Sequence, residues 1–206
     1  MIFMLITIEG IDGSGKSTLF NGLKIKLADL NPVFTKEPGS SLVNTSLRKE
    51  IAQNRDPLAE ATLFVADHVA HLVEVVIPAL KENKLIISDR YTDSRFVYQE
   101  LTLTGVIDHP YEWLQRVHSG WTIVPDFTIY LSIDPILAVE RIRHRGGKLE
   151  HFETIDFLTK VHEGFVDHFK RDYNRHIIFV NASMSQEKVL ETVEIIIREN
   201  YSKCDC

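Results

Sequence analysis

Cysteine is nearly missing from this chain: there are two among 206 residues, Cys204 and Cys206, both in the last three positions. That excludes a disulfide framework. Two thiols one residue apart can bind a metal or respond to oxidation, but their place at the end reads as a frayed tail in a reducing compartment. No apolar run approaches the roughly 20 residues of a membrane span. Basic residues do not predominate either: 23 Lys and Arg stand against 29 Asp and Glu, a net charge of −6, so the surface as a whole is not built for nucleic acid. The apolar start lacks the basic opening and small-residue cleavage site of an export signal, so the expected location is the cytoplasm, with no membrane partner. There is no linker composition, repeat or low-complexity tract, and the length suits one domain over residues 1–206. The nine histidines form no zinc-like set with cysteines or carboxylates. His68 and His71, three apart on an expected helix, read as helix-surface or site-wall residues rather than ligands.

What is present begins at Gly10-Ile11-Asp12-Gly13-Ser14-Gly15-Lys16-Ser17, a complete G-x-x-x-x-G-K-[ST] pattern. The apolar stretch Met1–Ile8 before it reads as a buried strand, and Leu19–Leu27 after it as a helix. Strand, glycine loop and helix together make a phosphate-binding site, with backbone N–H groups and the helix N-terminus facing the phosphates. Lys16 would reach the β- and γ-phosphates, and the Ser17 hydroxyl would ligate Mg²⁺. Further on, strand signals at 33–35, 85–89, 127–133 and 176–180 alternate with helix signals at 42–53, 57–83, 111–118, 135–143, 154–174 and 185–199. That alternation predicts an α/β domain on a parallel sheet, with the ligand beyond the carboxyl ends of its strands. The loop, Asp89 and Asp134 all fall at such ends and can share one cleft.

Several side chains carry chemistry in this setting. Asp89 closes a buried strand as a Walker B carboxylate does and can hold Mg²⁺ opposite Ser17. Arg90 follows, with the fork geometry that grips phosphate oxygens. Arg141, Arg143, Arg145 and Lys148, with Gly146-Gly147 among them, form a basic patch in an acidic chain. They suit a hinged lid that closes over a transferring phosphoryl group. A solvated helix end complementing the helix dipole is the plainer reading. Asp12, an acid inside an anion-binding loop, can accept a hydrogen bond from the sugar hydroxyl of a second substrate. Phe64, Tyr91, Phe96 and Tyr98 can wall a base, although each taken alone reads as core.

Taken together, these stretches resemble thymidylate kinase along nearly the whole chain. Residues 8–18 are similar to that family's phosphate loop, including its internal acid. Residues 35–41, T-K-E-P-G-S-S, resemble its T-R-E-P-G-G-T, and residues 63–68, L-F-V-A-D-H, its L-F-A-A-D-R. Asp89-Arg90-Tyr91-x-x-Ser94 followed by Tyr98-Gln99 resembles its D-R-Y-x-x-S and Y-Q, and Pro125-Asp126 through Asp134-Pro135 the strand before its lid. The resemblance implies a P-loop NTPase-type three-layer sandwich with a central, mostly parallel five-stranded sheet and a helical lid at about 141–153. It implies phosphorylation of dTMP by ATP with Mg²⁺, and a homodimer. It assigns Gly10, Asp12, Gly13, Ser14, Gly15, Lys16, Ser17 and Thr18 to ATP, with Ser17 and Asp89 at the metal. Arg90 would hold the acceptor phosphate with Arg48, Asp12 the 3′-hydroxyl, and Phe64 the base, while Tyr98 would crowd the 2′ position. Glu37 joins this substrate set. The catalytic arginine, absent from positions 13 and 14, would come from Arg141, Arg143 or Arg145.

Two departures touch the base. The family carries arginine where this chain has His68, and a small or amide residue where it has Arg95. His68 can donate to a carbonyl and Arg95 can replace the missing donor. A kinase for another deoxynucleotide, or a deoxynucleoside kinase with Glu37 as its base, is the alternative. A GTP-dependent switch is disfavoured: Asn83-Lys84-Leu85-Ile86 lacks the aspartate of a guanine reader, and no D-x-x-G follows the second strand.

Overall fold

The computed structural model describes residues 4–39, 42–53, 56–145, 154–171 and 174–203. Lys148, Gly146-Gly147 and most of the expected lid lie outside the described residues, as do Ser40, Ser41, Cys204, Cys206 and the side chain of Arg145. The strands are β1 (Met4–Glu9), β2 (Val33–Lys36), β3 (Leu85–Asp89), β4 (Phe127–Ser132) and β5 (Ile177–Asn181). They form one sheet in the order β2-β3-β1-β4-β5, and every pairing is parallel. Central β1 is buried along its whole length, as expected of a strand covered on both faces.

Register decides which side chains share a face. Ile6 stands beside Ile87 and Phe127, whereas Thr7 stands beside Ser88 and Thr128. Alternation along each strand sends Met4, Ile6, Ile8, Ile87, Phe127 and Ile129 to one side. There they join Leu19 and Leu23 of α1 (Lys16–Lys26) and Val193 and Ile197 of α9 (Gln186–Lys203) in an apolar core. On the opposite side Leu5 and Ile86 pack on Leu72, Val76 and Ala79. Thr7, Ser88, Thr128 and Glu9 share that second side and are fully buried. Tyr130 also faces it, 5.1 Å from the ring of Phe165 on α8 (Ile155–Arg171). One face of the sheet is therefore greasy, and the other carries a buried polar line running toward the strand ends.

The remaining helices are α2 (Leu42–Gln53), α3 (Pro57–His71), α4 (Ile77–Lys81), α5 (Thr92–Leu103), α6 (Pro110–His118) and α7 (Pro135–Arg145). Asp56 caps α3 by accepting from the Ala59 N–H at 2.8 Å, with Pro57 in the first turn. A π-helical turn at Leu72–Val76 joins α3 to α4 without a break. The resulting 25-residue helix, Pro57–Lys81, contains an 18-residue stretch with a mean hydropathy of 1.7. By length and composition it could cross a membrane, which corrects the expectation that no segment is long and apolar enough. In this fold it packs on α2 and α5 and buries the polar side chains Glu60, Asp67, His68 and His71. Helix α5 was not anticipated. Its buried face includes Thr92, Asp93, Ser94, Arg95 and Gln99, so it shows no apolar periodicity for sequence reading to find.

Candidate active site

The glycine loop joins β1 to α1 as its sequence predicts. Gly13 and Gly15 adopt φ of +81° and +94°, the left-handed region open to glycine. A β-carbon on Gly13 would stand 2.3 Å from the Ala138 carbonyl oxygen of α7, so the missing side chain also permits a close backbone approach. Gly15 precedes α1 and supplies no side-chain cap, which leaves the first-turn N–H groups available to an anion. Ser17 and Thr18 are exposed on that turn, whereas Ser14 is buried. Lys16 is buried, and its ammonium donates to the carbonyls of Gly10 and Ile11, each at 2.9 Å. Burial, and then the neighbouring Arg90 charge, push Lys16 down to about 8.

Arg90 follows β3 with φ of +69°, a conformation that costs a non-glycine residue energy and concentrates at functional sites. Its guanidinium pairs with the Asp12 carboxylate, donates to Ser94 Oγ at 2.9 Å and lies 5.1 Å from the centre of the Tyr98 ring. Burial opposes the Arg90 charge, but Asp12 and the surrounding groups outweigh it and raise its pKa. Tyr98 donates to the other Asp12 oxygen at 3.0 Å. Burial works against the Asp12 anion as well; Arg90 and Lys16 prevail and hold its pKa below the ordinary value. Behind this cluster, Glu9 accepts from the Tyr91 N–H at 2.8 Å and from the Ser94 hydroxyl at 2.5 Å. Ser94 therefore links a buried acid to the arginine. Asp89 Oδ1 is buried and meets no hydrogen-bond partner among the described residues. An orphaned carboxylate oxygen at the end of β3 fits a cation-holding role.

Next to Arg90 lies a cavity of about 160 Å³ lined by Glu37, Pro38, Ile51, Phe64, Tyr98 and Arg95, among others. Phe64, Tyr98, Glu37 and Arg95 are thus brought together as the sequence suggests. His68 is not. It is fully buried and absent from this lining; Nδ1 faces Glu37 Oε1 at 2.7 Å and Nε2 faces Thr122 Oγ1 at 2.6 Å. His71 repeats the arrangement, with Nδ1 2.6 Å from the same oxygen and Nε2 2.6 Å from Thr35 Oγ1. The expectation of surface or wall histidines is corrected: both lie beneath the cavity, because Glu37 offers buried imidazoles an acceptor. Burial drives His68 down to about 3 and His71 to about 4, so both are neutral at neutral pH. The three ligand-type atoms fall within 4.8 Å of one another. Ligands around zinc would stand about 3.3 Å apart, whereas these pairs sit at hydrogen-bond distance, and the other Glu37 oxygen pairs with Arg95. The group is a hydrogen-bonded hub. Occupied in this way, Glu37 is not the free base that a deoxynucleoside kinase would require.

The basic patch is divided. Arg141 donates to the Ala182 carbonyl at 2.9 Å, which ties α7 to the segment after β5, while Arg143 is exposed. Arg48 is exposed on α2, outside the cavity lining, and its Nε donates to Asn44 at 2.6 Å. Asp134 does not enter the cleft chemistry: its carboxylate accepts from the Ile136 N–H at 2.7 Å and starts α7. Sequence reasoning gave no role to Glu9, Ser94 or Thr122, and read His71 only as a helix-surface or site-wall residue. For the first two a signal existed, an acid closing an apolar strand and a serine four residues after Arg90. For His71 and Thr122, whose partners Thr35 and His68 lie 36 and 54 positions away, none did.

A family model described as thymidylate kinase matches residues 8–193. The chain is 55% identical over 195 residues to a protein named probable thymidylate kinase from Methanocorpusculum labreanum, covering 95% of this chain and 98% of that one. A protein of the same name from Methanospirillum hungatei is 51% identical over 200 residues, covering 97% and 96% of the two chains. One from Methanoculleus marisnigri is 48% identical over 195 residues, covering 95% and 94%. With a glycine loop, an arginine and an apolar cavity arranged as above, and with matches that run nearly end to end, this chain belongs to the thymidylate kinase family.

Proposed function

We propose that this protein phosphorylates dTMP to dTDP with ATP and Mg²⁺ in nucleotide synthesis, and that residues 1–206 act as one kinase domain. The observation that carries the reading is continuity. Arg90 lines the apolar cavity and also reaches Asp12 and Gly10 of the phosphate loop, so a triphosphate and an aromatic acceptor would meet at one side chain. Phe64 and Arg95 would face the base, Asp12 the sugar 3′-hydroxyl and Arg90 the acceptor phosphate. Tyr98, held by Asp12, would leave no room for a 2′-hydroxyl.

An oxygen of the acceptor phosphate would form the new bond to the γ-phosphorus while the bond to the β,γ-bridging oxygen breaks. No protein nucleophile is required, since positioning and charge neutralisation supply most of the acceleration. Lys16 would move from the loop carbonyls to the β- and γ-phosphates. Ser17 and Asp89 would hold Mg²⁺, which neutralises phosphate charge when bound; the unpartnered Asp89 oxygen supports that placement. Arg141 is engaged with Ala182, which favours Arg143 and Arg145 as the lid cations that reach the transferring group. A homodimer in the cytoplasm completes the reading. Val69 and Val73, exposed on the α3–α4 helix, belong to the face we assign to it.

A coupled assay with ATP and Mg²⁺ over dTMP, dUMP, dCMP and thymidine tests the proposal. We expect dTMP to be the best acceptor and thymidine to be inert. Lys16→Ala and Arg90→Ala should each lower turnover by about a hundredfold or more, with an unchanged far-UV circular dichroism spectrum. Full activity of Lys16→Ala, or a preference for thymidine, would overturn it.

A further inference from the structure

The hub beneath the cavity contains more built geometry than a pocket wall needs. Arg95 is 3% exposed, and burial pushes its guanidinium down to about 9, still charged at neutral pH. A buried cation of this kind is tolerated when a carboxylate faces it, and here Glu37 does. One Arg95 nitrogen also donates to the Phe64 carbonyl at 3.3 Å. Its Nε–H is buried and meets no acceptor among the described residues. A buried donor left unmade costs about 1–3 kcal/mol, so an acceptor on a bound ligand would recover that energy.

Glu37 is in turn held from behind. Since both histidines are neutral and Glu37 only accepts, each Nδ1 must carry the proton and donate to Oε1. Each Nε2 then accepts from a threonine hydroxyl, Thr122 for His68 and Thr35 for His71. The chain of donors therefore runs in one direction, from threonine through histidine to the carboxylate, whose second oxygen is left to Arg95. Its parts come from β2, α3, α5 and the segment before β4, so no single element can move the guanidinium alone.

We propose that Glu37 is a positioning residue which, braced by His68 and His71, fixes Arg95 against the acceptor base, and that this assembly selects pyrimidines with a 4-oxo group over those with a 4-amino group. A guanidinium has donors only, so it rewards a carbonyl and leaves an amino group facing unanswered N–H bonds. Neither histidine touches substrate, and Glu37 acts through Arg95. This inference rests on the dTMP kinase reading above.

The test is a double-mutant cycle on Glu37→Gln and Arg95→Lys in the full-length enzyme, with His71→Gln as an independent third variant. KM and kcat are measured for dTMP and dCMP, and thermal melting is followed for each protein. Arg95→Lys keeps the charge and loses the fork. The expected loss in the dTMP-to-dCMP ratio of kcat/KM is about ten- to a hundredfold for Arg95→Lys and about tenfold for Glu37→Gln. The change should lie mainly in the KM for dTMP. The double variant should be no worse than Arg95→Lys, because a residue acting through Arg95 has nothing further to lose. Additive losses, or an unchanged ratio in both Glu37→Gln and His71→Gln, would overturn the proposal. Should Glu37→Gln fail to fold, the His71→Gln ratio decides alone. Wild-type enzyme with no preference for dTMP would instead defeat the underlying reading, a separate result from the same assay.

Discussion

Glu9 ends β1 without solvent exposure, and burial together with nearby Asp93 pushes its carboxyl up to about 7. The unfolded chain ionises Glu9 near 4.5, so between that pH and about 7 the unfolded state binds fewer protons than the folded one. Stability from this residue therefore falls as pH rises through that window. His68 and His71 have the opposite sign. Their folded values lie below 6.5, and the stability they carry above that pH is lost on acidification. Glu9→Gln keeps the shape and removes one proton site. Its melting temperature relative to wild type should be higher at pH 7.5 than at pH 5; an equal difference at both would show that Glu9 ionises freely. At this scale the sequence announced the residues we assign to phosphate and metal, since Lys16, Ser17, Asp89 and Arg90 belong to local patterns. It was silent on Glu37, His68 and Thr122 as one assembly, because a hydrogen bond between residues 54 positions apart leaves no mark on spacing.

Two glycines separate tolerant from intolerant helix contacts. A β-carbon on Gly22 of α1 would stand 2.7 Å from a terminal methyl of Leu190 on α9, a half-buried side chain that can rotate away. One on Gly164 of α8 would stand 2.9 Å from Cγ1 of Val97 on α5, which is 1% exposed and stiff at χ1. Replacing a helical glycine with alanine gains about 1 kcal/mol, and overpacking a core costs about 1–3 kcal/mol. Gly22→Ala should therefore raise or maintain the melting temperature, and Gly164→Ala should lower it, as read by thermal denaturation. The same distinction explains what was legible among the elements. β1, β3, β4, α2 and α9 announce themselves by apolar runs or helical spacing and appear within a few residues of expectation. α5 does not, because its buried face was given over to the polar groups that build the site.

Across the whole molecule, a second buried polar network ties the layers together. Asp93 on α5 is fully buried; it receives the Arg175 guanidinium at both oxygens and His168 of α8 at 2.9 Å. Arg175 also donates to Thr128 of β4 at 2.8 Å, and Thr128 meets Thr7 of β1 at 2.8 Å. Burial alone would raise the Asp93 carboxyl, but His168 and Arg175 hold it well below the ordinary value, so its stabilisation is present above pH 3.8 and lost in acid. Arg175→Met strands this charge and should cost about 3–5 kcal/mol at neutral pH, with Asp93→Asn in the same chain restoring part of it. Breaking the exposed Arg198–Asp29 pair should move the melting temperature far less. A comparable loss from both would mean that the inner network has no special weight. The close approach of Gly13 to α7 has a consequence for how this chain can change over generations. A kinase that keeps its transferring arginine in the phosphate loop needs a long side chain there. In this molecule position 13 has its β-carbon direction filled by the Ala138 carbonyl oxygen at 2.3 Å. An arginine substituted for Gly13 alone would collide with the backbone of α7. A lineage starting from this sequence would have to displace a helix first, so the lid arginines we propose for that role would be a historical commitment as well as a chemical one.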